Sequence, residues 1–158
     1  MYFKEFDIRW GDIDANSHLG NAAYVEYMSH TRMSFFSDQG LDLKLMRDLG
    51  LGPIALYEHI YYFKEIDLDQ AIKVSLEIVG TTEDCRFIKM EHNFYDQQGT
   101  NLAFSEILFS WIDLKTRKLG RLSSDLQSRI QAFPKADRFR ILEKSEIKKP
   151  GIKPINLH

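Results

Sequence analysis

Asp12, Asp14, Asn16, His18 and Asn21 fall within ten residues of one another, in the run GDIDANSHLGN. A carboxylate in such company can take a proton from water or attack an electrophilic carbon itself. A histidine or amide beside it can orient the water, and an unpaired backbone NH can hold the oxygen that turns negative when a carbonyl is attacked. Together these groups point to addition at an activated carbonyl. Each also has a plainer use. Asp14 could cap a helix, His18 could fix the loop, Asn16 could form a turn through its own backbone, and Asp12 could order the segment through Arg9 or Arg32. A strand-to-helix elbow needs only one capping side chain, however, so the surplus asks for a chemical reason.

The elbow must be held by what flanks it. A strand is expected from Tyr2 to about Trp10, with Tyr2, Phe6, Ile8 and Trp10 on a dry face. A long helix follows from about Asn21 to Gln39 and stops at Gly40, where the chain turns left-handed. In that helix Tyr24, Tyr27, Met28, Thr31 and Phe35 recur at helical spacing, while Ala22, Val25 and Phe36 line another side, the pattern of a buried helix. Its first turn then directs free NH groups and the positive end of the helix dipole into a sheltered place.

A short helix from Leu43 to Leu49, capped by Asp42 and ended by Gly50, leads to Pro53–Lys64, a strand with apolar or aromatic side chains on both faces. Such a strand suits an interface with a second subunit. Ile72, Val74, Leu76 and Ile78 alternate with Lys73, Ser75 and Glu77, as in a half-exposed antiparallel strand. Arg86–Asp96 and Asn101–Asp113 read as a hairpin around Gly99. Strand, long helix, short helix and four strands make an α+β domain. A further helix is expected from Ser124 to about Phe133. From Pro134 to His158 seven Lys or Arg face three acids, read as a solvated extension in preference to a phosphate-binding arm. The organisation is one domain over 1–133 and a basic C-terminal extension over 134–158.

A length of 158 residues with 44% hydrophobic content suits one domain with one core. The formal charge of −2 calls for neither nucleic acid nor an anionic membrane surface. No apolar run in the sequence reaches signal-peptide or membrane-spanning length, and the single Cys85 cannot form an internal disulfide, so the expected location is cytoplasmic. Cys85 lies in a turn without a patterned base and reads as a small half-buried residue rather than a nucleophile. His59 and His92 read as hydrogen-bonded core histidines, His59 being nearer to where a second subunit would border the site.

The order D-x-D-x-x-x-H-x-x-N-x-x-Y, formed by Asp12, Asp14, His18, Asn21 and Tyr24, resembles the signature of the hotdog-fold acyl-thioester hydrolases, the 4-hydroxybenzoyl-CoA thioesterase group. The likeness extends over roughly Phe3 to Leu122. It implies a single hotdog domain, an antiparallel sheet wrapped around one long central helix. It also implies hydrolysis of acyl-CoA thioesters to free acid and CoA, with Asp14 as the catalytic carboxylate and the backbone NH of Asn21 polarising the carbonyl. His18 and Asn16 stand beside them, and no metal or cofactor is required beyond the CoA of the substrate. The acyl group is expected against Tyr24 and Met28, with His59 and Tyr61 at the border of a homodimer or homotetramer. The run D-x-N-x-H, here Asp14, Asn16 and His18, also resembles acyl-acyl-carrier-protein thioesterases. That activity, a hydro-lyase of the same fold and a non-catalytic acyl-binding module stay open. Two departures from the pattern stand out. Ser17-His18-Leu19-Gly20-Asn21 replaces Gly-His-Val-Asn-Asn, and Ser29 stands three residues before Arg32 where many relatives carry Glu.

Overall fold

The computed structural model describes residues 1–148 and 154–157. Its strands are β1 (Tyr2–Asp7), β2 (Leu51–Tyr62), β3 (Ala71–Thr81), β4 (Phe87–Tyr95), β5 (Asn101–Asp113) and the short β6 (Arg140–Ile141). Its helices are α1 (Asn21–Asp38), α2 (Leu43–Asp48), α3 (Ser124–Gln131) and α4 (Lys144–Ile147). The strands pair antiparallel in the order β1-β3-β4-β5-β2, and β6 adds parallel to the end of β3. This is the expected α+β arrangement of a sheet around one long helix, with β2 as an edge strand.

Helix α1 lies against the inner face of the sheet and packs differently along its length. Toward its start Ala23, Tyr24, Tyr27 and Met28 cluster with Ile72 and Val74 of β3 and Phe94 of β4. Toward its end Phe35 and Phe36 cluster with Met90, Phe109 and Trp111. Burial of these side chains, at roughly 1.5–3 kcal/mol each, holds α1 on the sheet against the entropy of ordering it. The helix ends as its sequence predicts. Gly40 takes φ +73°, and its NH closes on the carbonyl of Ser37. In α2 the Asp42 side chain accepts from the Leu45 NH at 2.8 Å.

Several expectations need correction. β1 ends at Asp7 rather than Trp10, because Arg9 pairs with Asp12 and curls the chain into a 3-10 turn over Trp10–Asp12. That leaves Trp10 81% exposed instead of on a dry face. α1 is buried on one side only, with Ala22 and Val25 exposed. β3 is more deeply buried than its alternation suggests, since Ser75 is wholly covered and its Oγ accepts from the Asn93 NH at 2.9 Å. The stretch after Pro134 is not merely solvated. Ala136 and Leu142 are buried, their NH groups donate to the carbonyls of Ile78 and Thr81, and Arg138 pairs with Glu77 and Glu91. Residues 149–153 and 158 of that extension lie outside the described residues. Cys85 is buried, and burial pushes its thiol above the ordinary range, away from a reactive thiolate. Among the described residues no helix is long and apolar enough to cross a membrane.

Candidate active site

The elbow is a small hairpin. Ile13 bridges Leu19, the Asp14 NH donates to the His18 carbonyl at 2.9 Å, and the Ser17 NH donates to the Asp14 carbonyl at 3.0 Å. Ser17 closes the loop at φ +65°, in a loop type where a turn is followed by one left-handed residue, usually glycine. The departure from Gly at this position therefore keeps the loop shape, at a backbone cost of about 1 kcal/mol. The second leg is stitched to distant chain, with the Leu19 NH donating to Ile66 at 2.8 Å and His18 bridging Asp67.

Asp12 and Asp14 have opposite fates. Asp12 is covered: its carboxylate accepts from the Arg9 Nε at 2.9 Å, from the Arg9 Nη2 at 2.7 Å and from the Tyr27 hydroxyl. The Arg9 guanidinium holds it below the usual carboxylate range. Asp12 thus anchors the elbow to α1 through Arg9 and Tyr27, and Arg32 takes no part. Asp14 is exposed. Its Oδ1 accepts from the Asn16 NH at 2.8 Å and the His18 NH at 3.4 Å. Among the described residues Oδ2 accepts nothing, so the carboxylate is oriented while one oxygen stays available.

Helix α1 begins two residues after the hairpin, with Gly20 as its N-cap and no side chain capping it. A methyl group at Gly20 would stand 3.3 Å from the Asp12 carbonyl oxygen and 3.6 Å from Asp14 Cβ. Glycine is what lets the helix start this close to Asp14. The Ala23 NH turns back to the Gly20 carbonyl at 3.0 Å, and no side chain caps the Asn21 NH beside the carboxylate.

A cavity of about 330 Å³ opens here, lined by Asp14, His18, Asn21 and Tyr24 from one side and Tyr62, Phe63, Lys64 and Glu65 from the other. Of the residues expected at the site from sequence, Asp14, His18, Asn21 and Tyr24 are brought together. Asn16 turns out to form the loop through its backbone and is exposed off the cavity wall. Met28 is fully buried in the core. His59 and Tyr61 do not line the cavity, because β2 carries a bulge between Ala55 and Tyr57. Beyond that bulge Glu58, Ile60 and Tyr62 stand opposite Ile107, Ser105 and Ala103, on the face toward α1, and His59 and Tyr61 stand opposite Glu106 and Phe104 on the other. Tyr62 rather than Tyr61 meets Tyr24, ring edge to face at 4.9 Å between centroids. His18 reaches toward two carboxylates, Glu65 at 3.2 Å and Asp67 at 3.7 Å. Tyr62, Phe63, Lys64 and Glu65 carry no local motif; they reach the elbow because the chain directly after them, Ile66 and Asp67, pairs with Leu19 and His18.

Farther along α1 lies a second polar group. Arg32 donates to Glu58 at 2.9 Å and to the Ser29 hydroxyl at 2.8 Å. The place of the missing helix carboxylate is thus filled by Ser29 together with Glu58 of β2. His92 is fully buried, and its Nδ1 lies 2.7 Å from the Ser75 carbonyl oxygen, which can only accept. Nδ1 therefore carries the proton, and Nε2 accepts from Arg32 at 3.2 Å. Burial, with the nearby Arg32 charge, brings His92 down to about 3, so it is neutral at physiological pH. His92 is the hydrogen-bonded core histidine that its strand position suggests.

Similar folds occur among solved structures, some of them thioesterases. A Staphylococcus aureus protein solved in complex with CoA superposes with a TM-score of 0.77 at 20% identity, over 97% of this chain and 95% of that one. A DHNA-CoA thioesterase, also from Staphylococcus aureus, gives 0.74 at 17% identity, over 83% and 91%. A 1,4-dihydroxy-2-naphthoyl-CoA thioesterase from Synechocystis gives 0.72 at 17% identity, over 83% and 96%. These likenesses establish the fold as the hotdog arrangement. No curated protein matches the sequence. The model of the thioesterase-like superfamily matches residues 8–131, a span that takes in the elbow, α1, α2, the strands β2 to β5 and α3, and the chain belongs to that superfamily.

Proposed function

We propose that the protein hydrolyses acyl-CoA thioesters to the free acid and CoA. The observation that carries this reading is the cavity where the exposed Asp14 carboxylate meets the uncapped start of α1. The thioester carbonyl sits with its oxygen toward the Asn21 NH, where the helix dipole favours the developing negative charge. Asp14 takes a proton from water as the water oxygen adds to the carbonyl carbon. The tetrahedral intermediate then collapses, the C–S bond breaks, and the proton held on Asp14 passes to the departing thiolate. Direct attack by Asp14 gives a mixed anhydride that water opens, and it uses the same groups. Tyr24 and Tyr62 flank the acyl end, and Lys64 offers a cation at the wall nearer solvent.

The working unit is a homo-oligomer built on a dimer. β2 is an edge strand that, with Phe63 just after it, exposes Leu56, Tyr61, Tyr62 and Phe63 to solvent, an apolar strip that a second copy would cover. Covering it would also shield Asp14 from bulk water, which strengthens every charge interaction in the site. Light scattering at micromolar concentration tests this, and an active monomer would refute it. Thiol release from a panel of acyl-CoAs, with an acyl-carrier-protein thioester alongside, tests the activity. Faster release from CoA esters is expected; no release from either carrier would end the reading, and preference for the protein carrier would change its substrate.

A further inference from the structure

The core is divided at one level by a belt of polar residues on α1, β2, β4 and β5. On α1, Thr31 and Arg32 separate Met28 in one apolar cluster from Phe35 in the other. On β4, His92 separates Phe94 from Met90, and on β5, Ser105 separates Ala103 from Ile107. On β2, Glu58 stands between Ile60, which packs with the first cluster, and Leu51, which belongs to the second. The belt is closed by Arg32, which contacts Glu58 and His92, and by Ser105, which stands opposite His92 in the β4–β5 register. The ion pair is sheltered, its side chains only 12% and 14% exposed. Ser105 Oγ is buried without a hydrogen-bond partner among the described residues.

Helix α1 and β2 border a cavity on either side of this belt. On the near side is the 330 Å³ cavity with Asp14, Tyr24 and Tyr62. On the far side is one of about 210 Å³, walled by Arg32, Met33, Phe36, Pro53, Ala55 and Ile107. From Tyr24 to Arg32 the helix rises about 12 Å. An acyl chain entering beside Asp14 and running between α1 and β2 meets Arg32 and Glu58 after that distance. To pass, its methylenes would have to part a buried ion pair and leave each charge unpaired.

We propose that the belt of Arg32, Glu58, His92 and Ser105 ends the acyl groove and makes the Arg32–Glu58 pair a determinant of acyl length. The inference rests on the acyl-thioester reading above. The test uses straight-chain acyl-CoAs from butyryl to palmitoyl on the full chain, following both kcat/KM and equilibrium binding. The wild type should reach a maximum and then fall sharply as the chain lengthens. The double variant Arg32→Met with Glu58→Leu replaces the pair by apolar side chains of similar size, a change that buried ion pairs usually tolerate. It should move the maximum to longer chains. Each methylene newly buried contributes about 4-fold, so admitting two raises the long-to-short ratio about 15-fold.

Ala55→Phe supplies the control by filling the far cavity. It should leave the wild-type profile unchanged and cancel the gain in the double variant. A folded double variant with the wild-type profile overturns the proposal. So does a wild-type profile shortened by Ala55→Phe, because chains would then already pass the belt; this arm decides the matter even if the double variant does not fold. Should the wild type hydrolyse no thioester, the acyl-CoA hydrolase reading falls on its own. The belt is then judged by the binding profile, where the same two outcomes overturn it.

Discussion

Two polar sites lie along α1, and they are built in opposite ways. At its start, Asp14 is exposed and held by backbone NH groups, with one oxygen left over. Farther along, Arg32, Glu58 and His92 are withdrawn from solvent and satisfy one another through side chains. The first arrangement keeps its carboxylate in contact with solvent, so little desolvation cost is incurred, and leaves a reactive group available. The second commits its groups to each other, so removing one strands the rest. The contrast separates what serves chemistry from what shapes the interior, and it can be tested from both ends.

The largest effect is expected in the belt. Arg32→Met alone leaves Glu58 buried without its partner and should cost about 3–5 kcal/mol of stability. Chemical denaturation of the single and double variants measures this, and equal loss in both would show that the pair is not coupled. Asp14→Asn should do the reverse, lowering kcat ~100-fold or more while the unfolding midpoint stays at the wild-type value, since Asn keeps an acceptor for the loop but takes up no proton at neutral pH. A folded Asp14→Asn protein with near wild-type turnover would remove Asp14 from the chemistry.

Tyr27→Phe sharpens the distinction between the two elbow carboxylates. Asp12 loses one hydrogen bond but keeps Arg9, so about 1–2 kcal/mol of stability should go. Turnover per folded molecule should change little, and a collapse of kcat in a fully folded variant would tie Asp12 to the reaction.

His92 gives the belt a pH signature. Its pKa is depressed in the folded protein to about 3, so its contribution is fully present above the unfolded value near 6.5. It is lost as pH falls below that value, because the unfolded chain then binds a proton that the native state refuses. The slope approaches ~1.4 kcal/mol per pH unit for this one group. His92→Gln can replace the donor and the acceptor without titrating, and should flatten the profile between pH 6.5 and 5. An unchanged profile would show that His92 does not govern acid sensitivity. The smallest effect is expected at Ser17. Ser17→Gly relieves the left-handed strain but loosens the unfolded chain, for a net gain of about 0.5 kcal/mol or less in thermal unfolding.

The elbow was legible in sequence because its parts are local. Asp14, Asn16, Ser17 and His18 hydrogen-bond within a few residues, and α1 stops on a neighbouring signal at Gly40. Alternation likewise located the strands, because a period of two follows from the backbone itself. Alternation did not tell which face of β2 meets the helix. One bulge beside Leu56 decides it, turning Glu58, Ile60 and Tyr62 toward α1 and leaving His59 and Tyr61, expected at a subunit border, on the other face. Neither Arg32–Glu58 nor His92–Ser75 has a short-range signature, since their partners are 26 and 17 residues apart. Spacing determines what a segment can do by itself; which distant side chains close a cavity or divide a core depends on strand register, and register is decided only when the whole sheet packs against the helix.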